Sequence, residues 1–193
     1  MKDSTIRRGA IIGRFQPFHN GHLVLVRQIL KECNEVLIVV GSAQSNYTFA
    51  NPFTAGERIL MTRMALVKGG LDVSKIFIIP LIDEEDNARW FSLLLSMLPP
   101  FDILYSGNHL VFALASPHKE VRTPRFVRKE QYNGSYIRKR ILRGEGWRNL
   151  VSDVVFDFIC GIDGINRVRL LAKHENVESS KSFDLQKRYY RKW

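Results

Sequence analysis

Four short runs of aliphatic and β-branched residues, at 10–12, 36–40, 76–79 and 101–105, constrain the fold more than any other feature of this 193-residue chain. Each is too short for a helix and apolar on successive residues, the pattern of a strand buried on both faces. Between them the spacing changes. Leu23, Val26 and Leu30, then Ile59, Leu60, Met64 and Val67, then Trp90, Leu94 and Met97 recur at helical intervals. Strands alternating with helices predict parallel βαβ units, hence an α/β fold built on one doubly wound parallel sheet with helices on both faces. Ligands of such sheets bind beyond the carboxyl ends of the strands, so functional residues are expected to follow strands.

Beyond Tyr105 the pattern weakens into a basic loop over residues 119–129, a helix from about Ser135 to Leu142, and a helical segment at 151–159. The sequence has no internal repeat. It reads as one domain, 1–173, that includes a C-terminal helical segment, followed by a basic tail, 174–193, open to disorder.

A 45% hydrophobic composition supplies a core for one domain of this length. The formal charge of +10 points to an anionic partner: nucleic acid, a membrane surface or a phosphorylated small molecule. Residues 181–193 hold Lys181, Lys187, Arg188, Arg191 and Lys192 against Asp184, so the rest of the chain carries a modest excess that a phosphate site accounts for. Nucleic acid is therefore not expected as the main partner, although Tyr189, Tyr190 and Trp193 among the basic tail residues motivate that alternative. Cys33 and Cys160 form no CxxC pair, which argues against a zinc site or disulfide framework and for a reducing cytoplasm. No run approaches the roughly 18 apolar residues of a membrane helix, and the polar start MKDSTIRRG does not read as a signal sequence.

The first strand runs directly into Gly13-Arg14-Phe15-Gln16-Pro17-Phe18-His19-Asn20-Gly21-His22, where the next helical pattern begins. Amides at a helix start and the positive end of its dipole favour phosphate, and Gly13 and Gly21 allow close backbone approach. His19 and His22 lie three apart, so on a helical turn both face one side and are placed to grip the same polyphosphate. Far downstream, Ser135 is a good N-cap with Arg138 one turn later, so hydroxyl, amides and guanidinium are expected to converge on a phosphate.

The ten-residue string resembles the HxGH signature of the nucleotidylyltransferase superfamily, and GRFQPFHNGH is similar to its archaeal nicotinamide mononucleotide (NMN) adenylyltransferase branch. Tyr132-Asn133-Gly134-Ser135-Tyr136-Ile137-Arg138 resembles the ISGTxIR-like second motif, with Asn133 in place of Ser and Ser135 in place of Thr. The likeness extends through Gly41-Ser42-Ala43-Gln44, Asn51 to Arg58, Asn87-Ala88-Arg89-Trp90, Pro99 to Asp102 and Ser106-Gly107-Asn108. It implies a Rossmann-like fold and transfer of the ATP adenylyl group to NMN, giving NAD and pyrophosphate by direct in-line displacement. His19, His22, Arg14 and Arg138 would be catalytic, and Gly13, Phe15, Gly21, Ser106, Gly107, Asn108 and Ser135 would bind ATP.

On the acceptor side, Trp90 offers a flat face for a pyridinium ring, Asn87 can pair with a carboxamide, and Gln44 joins them. The alternative for Trp90 is a core residue of an amphipathic helix. Thr54 and Glu57 have capping-box spacing and read as structural, while Arg58 is ambiguous. No metal-ligand set stands out; the implied Mg²⁺ is bound mainly through ATP phosphates. The resemblance also implies a homo-oligomer. Nicotinate mononucleotide, phosphopantetheine and FMN remain alternative acceptors, because the phosphate motifs are shared.

Overall fold

The computed structural model describes residues 6–177, so the tail read at 174–193 lies outside the described residues beyond position 177. Five strands, β1 (Arg8–Gly13), β2 (Glu35–Val40), β3 (Ile76–Pro80), β4 (Ile103–Tyr105) and β5 (Glu120–Arg122), pair in parallel in the order β3-β2-β1-β4-β5. The chain winds outward from β1 to β3, then returns to β4 on the other flank of β1. The order reverses between β1 and β4, and such a reversal opens a crevice at the strands' carboxyl ends.

Seven helices complete the described fold: α1 (Asn20–Ile29), α2 (Ala55–Lys68), α3 (Asn87–Met97), α4 (His109–Ala115), α5 (Gly134–Arg143), α6 (Asp153–Gly161) and α7 (Gly164–His174). Alternate residues of the central strands feed two separate cores. Val36, Ile38 and Val40 of β2, with Ile103 and Tyr105 of β4, pack beside residues of α1, α2, α5, α6 and α7. Leu37, Val39 and Leu104 point the other way, into a core with residues of α3 and α4. The apolar runs thus reflect burial on both faces of the sheet.

Two expectations need correction. The run at 76–79 is not buried on both faces: β3 is an edge strand whose Phe77 is 39% exposed. The stretch at 119–129 is not all loop, since Glu120–Arg122 forms the opposite edge strand. Its charged residues blunt that edge, with Arg122 paired to Glu120 and Glu32. No helix among the described residues is long and apolar enough to cross a membrane.

Candidate active site

β1 delivers its last residue, Gly13, to the carboxyl edge of the sheet, and the following residues turn sharply into α1. Phe15 takes a left-handed φ of 52° with its ring buried, a costly conformation for a non-glycine residue. A Cβ on Gly13 would meet that ring at 3.0 Å, and one on Gly21 would lie 2.7 Å from Tyr132 Cβ. Gly21 therefore serves close packing of α1 against the chain that precedes α5.

His19 and His22 do come together. Their rings stack with centroids 3.5 Å apart, and Phe15 and Phe18 pack around His22. The His19 backbone N–H donates to His22 Nδ1 at 3.2 Å. An accepting Nδ1 is unprotonated, so neutral His22 carries its hydrogen on Nε2, where it can be donated. Burial pushes His19 down to about 3 and His22 well below the usual imidazole range, His22 also feeling charge on His19. At neutral pH the pair is uncharged, and each neutral ring has one N–H to donate.

These depressed pKa values fix the sign of a pH effect. The unfolded chain takes up protons near pH 6.5, whereas the folded pair resists them, so the stability that they contribute is present above pH 6.5 and lost as pH falls toward 3. Each histidine contributes a slope of up to roughly 1.4 kcal/mol per pH unit in that window. The melting temperature is expected to fall on acidification from pH 7 to 5, and His19→Asn, which retains a capping side chain, should flatten the slope in calorimetric scans. An unchanged slope in that variant would show that His19 is not the group responsible.

Positive charge comes from guanidinium groups. Arg58 on α2 is fully buried and donates to the carbonyls of Thr54, Arg14, Gly41 and Ser42, which ties the ends of β1 and β2 to the start of α2. Arg138 on α5, also buried, donates from Nη1 to Gln16 O at 2.7 Å and from Nη2 to Ser135 Oγ at 3.1 Å, while its Nε has no partner among the described residues. Arg14 reaches Asn51 Oδ1 at 3.4 Å, and its charge acts on both buried guanidiniums. Burial, then Arg14, brings Arg58 down to about 10 and Arg138 to about 9, so both stay charged at neutral pH. Among the described residues the hydrogen-bond acceptors of Arg58 and Arg138 are neutral oxygens, and Asp83 and Glu175 act on them only through space, so both guanidiniums stay suited to an anion.

The reading of Ser135 as N-cap is corrected. The cap of α5 is Asn133, whose Oδ1 accepts from the amides of Ser135 and Tyr136, so those amides are already engaged. Asn ranks with Ser as a cap, and the residue nearer the turn takes the position. Ser135 lies within the first turn, where its hydroxyl accepts from Arg138 and keeps a hydrogen to donate.

Gln16, within the Gly13–His22 string, is a structural link that residue type alone does not reveal. Its amide bonds both ways with the Phe53 backbone, Nε2 to O at 2.8 Å and N to Oε1 at 3.0 Å, while its own carbonyl accepts from Arg138. One residue thus joins the β1 turn to the segment before α2 through its side chain, and to the start of α5 through its backbone carbonyl. A Cβ on Gly134 would lie 2.8 Å from that carbonyl, so glycine is required for the approach. Thr54 and Glu57 form the expected capping box, and Glu57 also pairs with Arg167.

The expected acceptor and adenosine residues follow β2, β3 and β4 at the same edge of the sheet. Gln44, after β2, accepts from the Asp83 amide after β3. Asn87 is the first residue of α3, capped by Asp86. Ser106 and Asn108 follow β4, where Asn108 caps α4 and its amide donates to Ser106 Oγ. Gly107 packs under Phe126. Of the basic loop, Lys119 holds Phe101 O and Arg122 sits in ion pairs, while Arg125, Arg128 and Lys129 are exposed.

Trp90 is not the open platform expected: its indole is 5% exposed and belongs to the core shared by β2, β4, α3 and α4. Trp90→Ala is therefore expected to cost about 3–5 kcal/mol, measured by denaturant unfolding. A cost below about 1 kcal/mol would mean that the indole is not packed as described.

A parallel sheet with this reversal, an HxGH turn at its first strand and a buried guanidinium opposite define a nucleotidyltransferase-type site. The chain belongs to the cytidylyltransferase-like family, whose profile matches residues 10–140. Within that class it is similar to nicotinamide-nucleotide adenylyltransferases. It is 47% identical over 171 residues to that of Methanolobus tindarius, covering 88% of this chain and 97% of the relative. It is 45% identical to that of Pyrobaculum aerophilum over 172 residues, covering 88% and 97%. A crystal structure of a bifunctional NMN adenylyltransferase/ADP ribose pyrophosphatase from Francisella tularensis, complexed with AMP and a Mn ion, superposes with a TM-score of 0.74 at 20% identity. That alignment covers 94% of this chain but 56% of the bifunctional one, and the likeness is one of fold.

Proposed function

We propose that this chain transfers the adenylyl group of ATP to NMN, forming NAD and pyrophosphate. The observation that carries the reading is the pair of buried, charged guanidiniums with neutral partners, Arg58 and Arg138, beside two neutral histidines at the carboxyl end of β1. The archaeal relatives' names specify the acceptor.

In-line attack by the NMN phosphate on the ATP α-phosphorus needs two anions held in place and the charge on the leaving pyrophosphate offset. Arg138, through the N–H groups left over from Gln16 and Ser135, binds phosphate oxygens and draws charge toward the leaving group. His22 Nε2–H and His19 donate to the oxygens of the transferred and leaving groups. Arg14, on the flank of Asn51, balances the acceptor phosphate. Ser106, Gly107 and Asn108 receive the adenosine; Asn87 and Gln44 receive the nicotinamide.

The donors converging at the β1 turn are imidazole and guanidinium groups suited to phosphate oxygens, and no cluster of three His, Cys, Asp or Glu residues suited to a metal occurs among the described residues. Mg²⁺ carried by the ATP phosphates would supply further positive charge there. We also place the protein in the cytoplasm and expect it to self-associate.

A coupled assay with ATP and Mg²⁺ across NMN, nicotinate mononucleotide, phosphopantetheine and FMN tests the reading. NMN should give the highest kcat/KM, and inactivity with every acceptor would overturn the assignment.

A further inference from the structure

The strongest remaining connection enters the site from outside the segment that the family profile covers. Glu175, which closes α7, accepts the Phe49 amide with Oε1 at 2.6 Å. The buried Phe49 ring lies 5.8 Å from the Arg138 guanidinium carbon, and the Glu175 charge acts on Arg138. One helical face earlier, Arg167 grips both Glu57 oxygens, donates to Pro52 O at 3.3 Å and lies over the Tyr47 ring. The segment from 47 to 53 also carries Asn51, which holds Arg14, and Phe53, which is bonded to Gln16. Helix α7 therefore grips the segment that sets two of the site's guanidiniums without touching the reacting groups.

Building on the adenylyl-transfer reading, we propose that Glu175 is a positioning residue: with Arg167 it fixes the 47–53 segment and so orients Arg138 and Arg14 toward the phosphates. A carboxylate suits this task, because a charged acceptor holds an amide more tightly than a neutral one and its charge steadies Arg138. The Phe49 segment has no strand or helix of its own, so side-chain bonds such as this one contribute to holding it.

The test compares Glu175→Ala and Glu175→Gln in the full chain by three readouts: hydrogen exchange of the Phe49 amide, calorimetric affinity for inorganic pyrophosphate, and kcat and KM for NMN. Glu175→Ala should speed Phe49 exchange and weaken pyrophosphate binding by roughly 10-fold each, the factor expected for one lost charge-assisted hydrogen bond. It should also raise KM for NMN, and Glu175→Gln, which still accepts the amide, should recover most of each loss. A purely structural Glu175 would lower the melting temperature and leave pyrophosphate affinity and KM at wild-type values, which overturns the proposal; unchanged Phe49 exchange does so as well. If Glu175→Ala does not fold, Arg167→Met, which removes the donor shared by Glu57 and Pro52 and the cation over the Tyr47 ring, takes its place under the same criteria. A wild-type protein inactive toward all acceptors defeats the adenylyl-transfer reading, while the exchange and pyrophosphate measurements still decide the positioning role.

Discussion

His22→Ala is expected to lower kcat by one to three orders of magnitude, about 1.4 to 4 kcal/mol of transition-state stabilisation, with a smaller change in KM for ATP. The neutral ring has one hydrogen, and the bond from the His19 amide to Nδ1 assigns it to Nε2. That donor gains strength as charge accumulates on the phosphates, so its removal falls mainly on kcat. Phe15 and Phe18 pack against the ring and hold its orientation. Because burial holds both histidines of the free protein below the usual range, kcat/KM should show no ionisation limb from them between about pH 5 and 8. Steady-state kinetics with circular dichroism checks this, and a folded variant turning over at the wild-type rate would remove His22 from the mechanism.

Arg138→Lys is the second large effect. The guanidinium serves Gln16 O and Ser135 Oγ from different nitrogens and still has N–H groups for a phosphate. A lysine ammonium offers three hydrogens from one point on a differently shaped stem and cannot span those partners together with an anion. Gln16 O or the phosphate goes short, and a loss of kcat of about 10² is expected, the scale seen when one transition-state donor is removed. The melting temperature should also fall, since a buried acceptor left unpaired costs about 1–3 kcal/mol. Wild-type kcat in the lysine variant would show that a point charge suffices and that the fork is unnecessary.

The outline of the fold was legible because β1, β2 and β4 are buried on both sides, which writes continuous aliphatic runs into the sequence. β5 escaped notice since Glu120–Arg122 contributes one apolar residue, and an edge strand is recognised by its pairing. Helix α5 was placed to within a residue or so, yet its cap was misassigned, because Asn133 and Ser135 both suit the position and only backbone geometry chooses. The histidine pair and Arg138 stood out by residue type. Gln16 and Arg58 did not, as their partners are main-chain atoms 37 and 44 residues away, and a carbonyl leaves no mark in a sequence. Trp90 shows the converse: an aromatic on an amphipathic helix is compatible with either a platform or a core, and its 5% exposure favours the core.

The most direct test of the central claim follows the α-phosphorus. With ATP labelled at that position, NMN and Mg²⁺, the label should appear in NAD in step with released pyrophosphate, with none retained on the acid-quenched protein. Label held covalently by the protein during turnover, or pyrophosphate released without labelled NAD, would contradict direct adenylyl transfer to NMN.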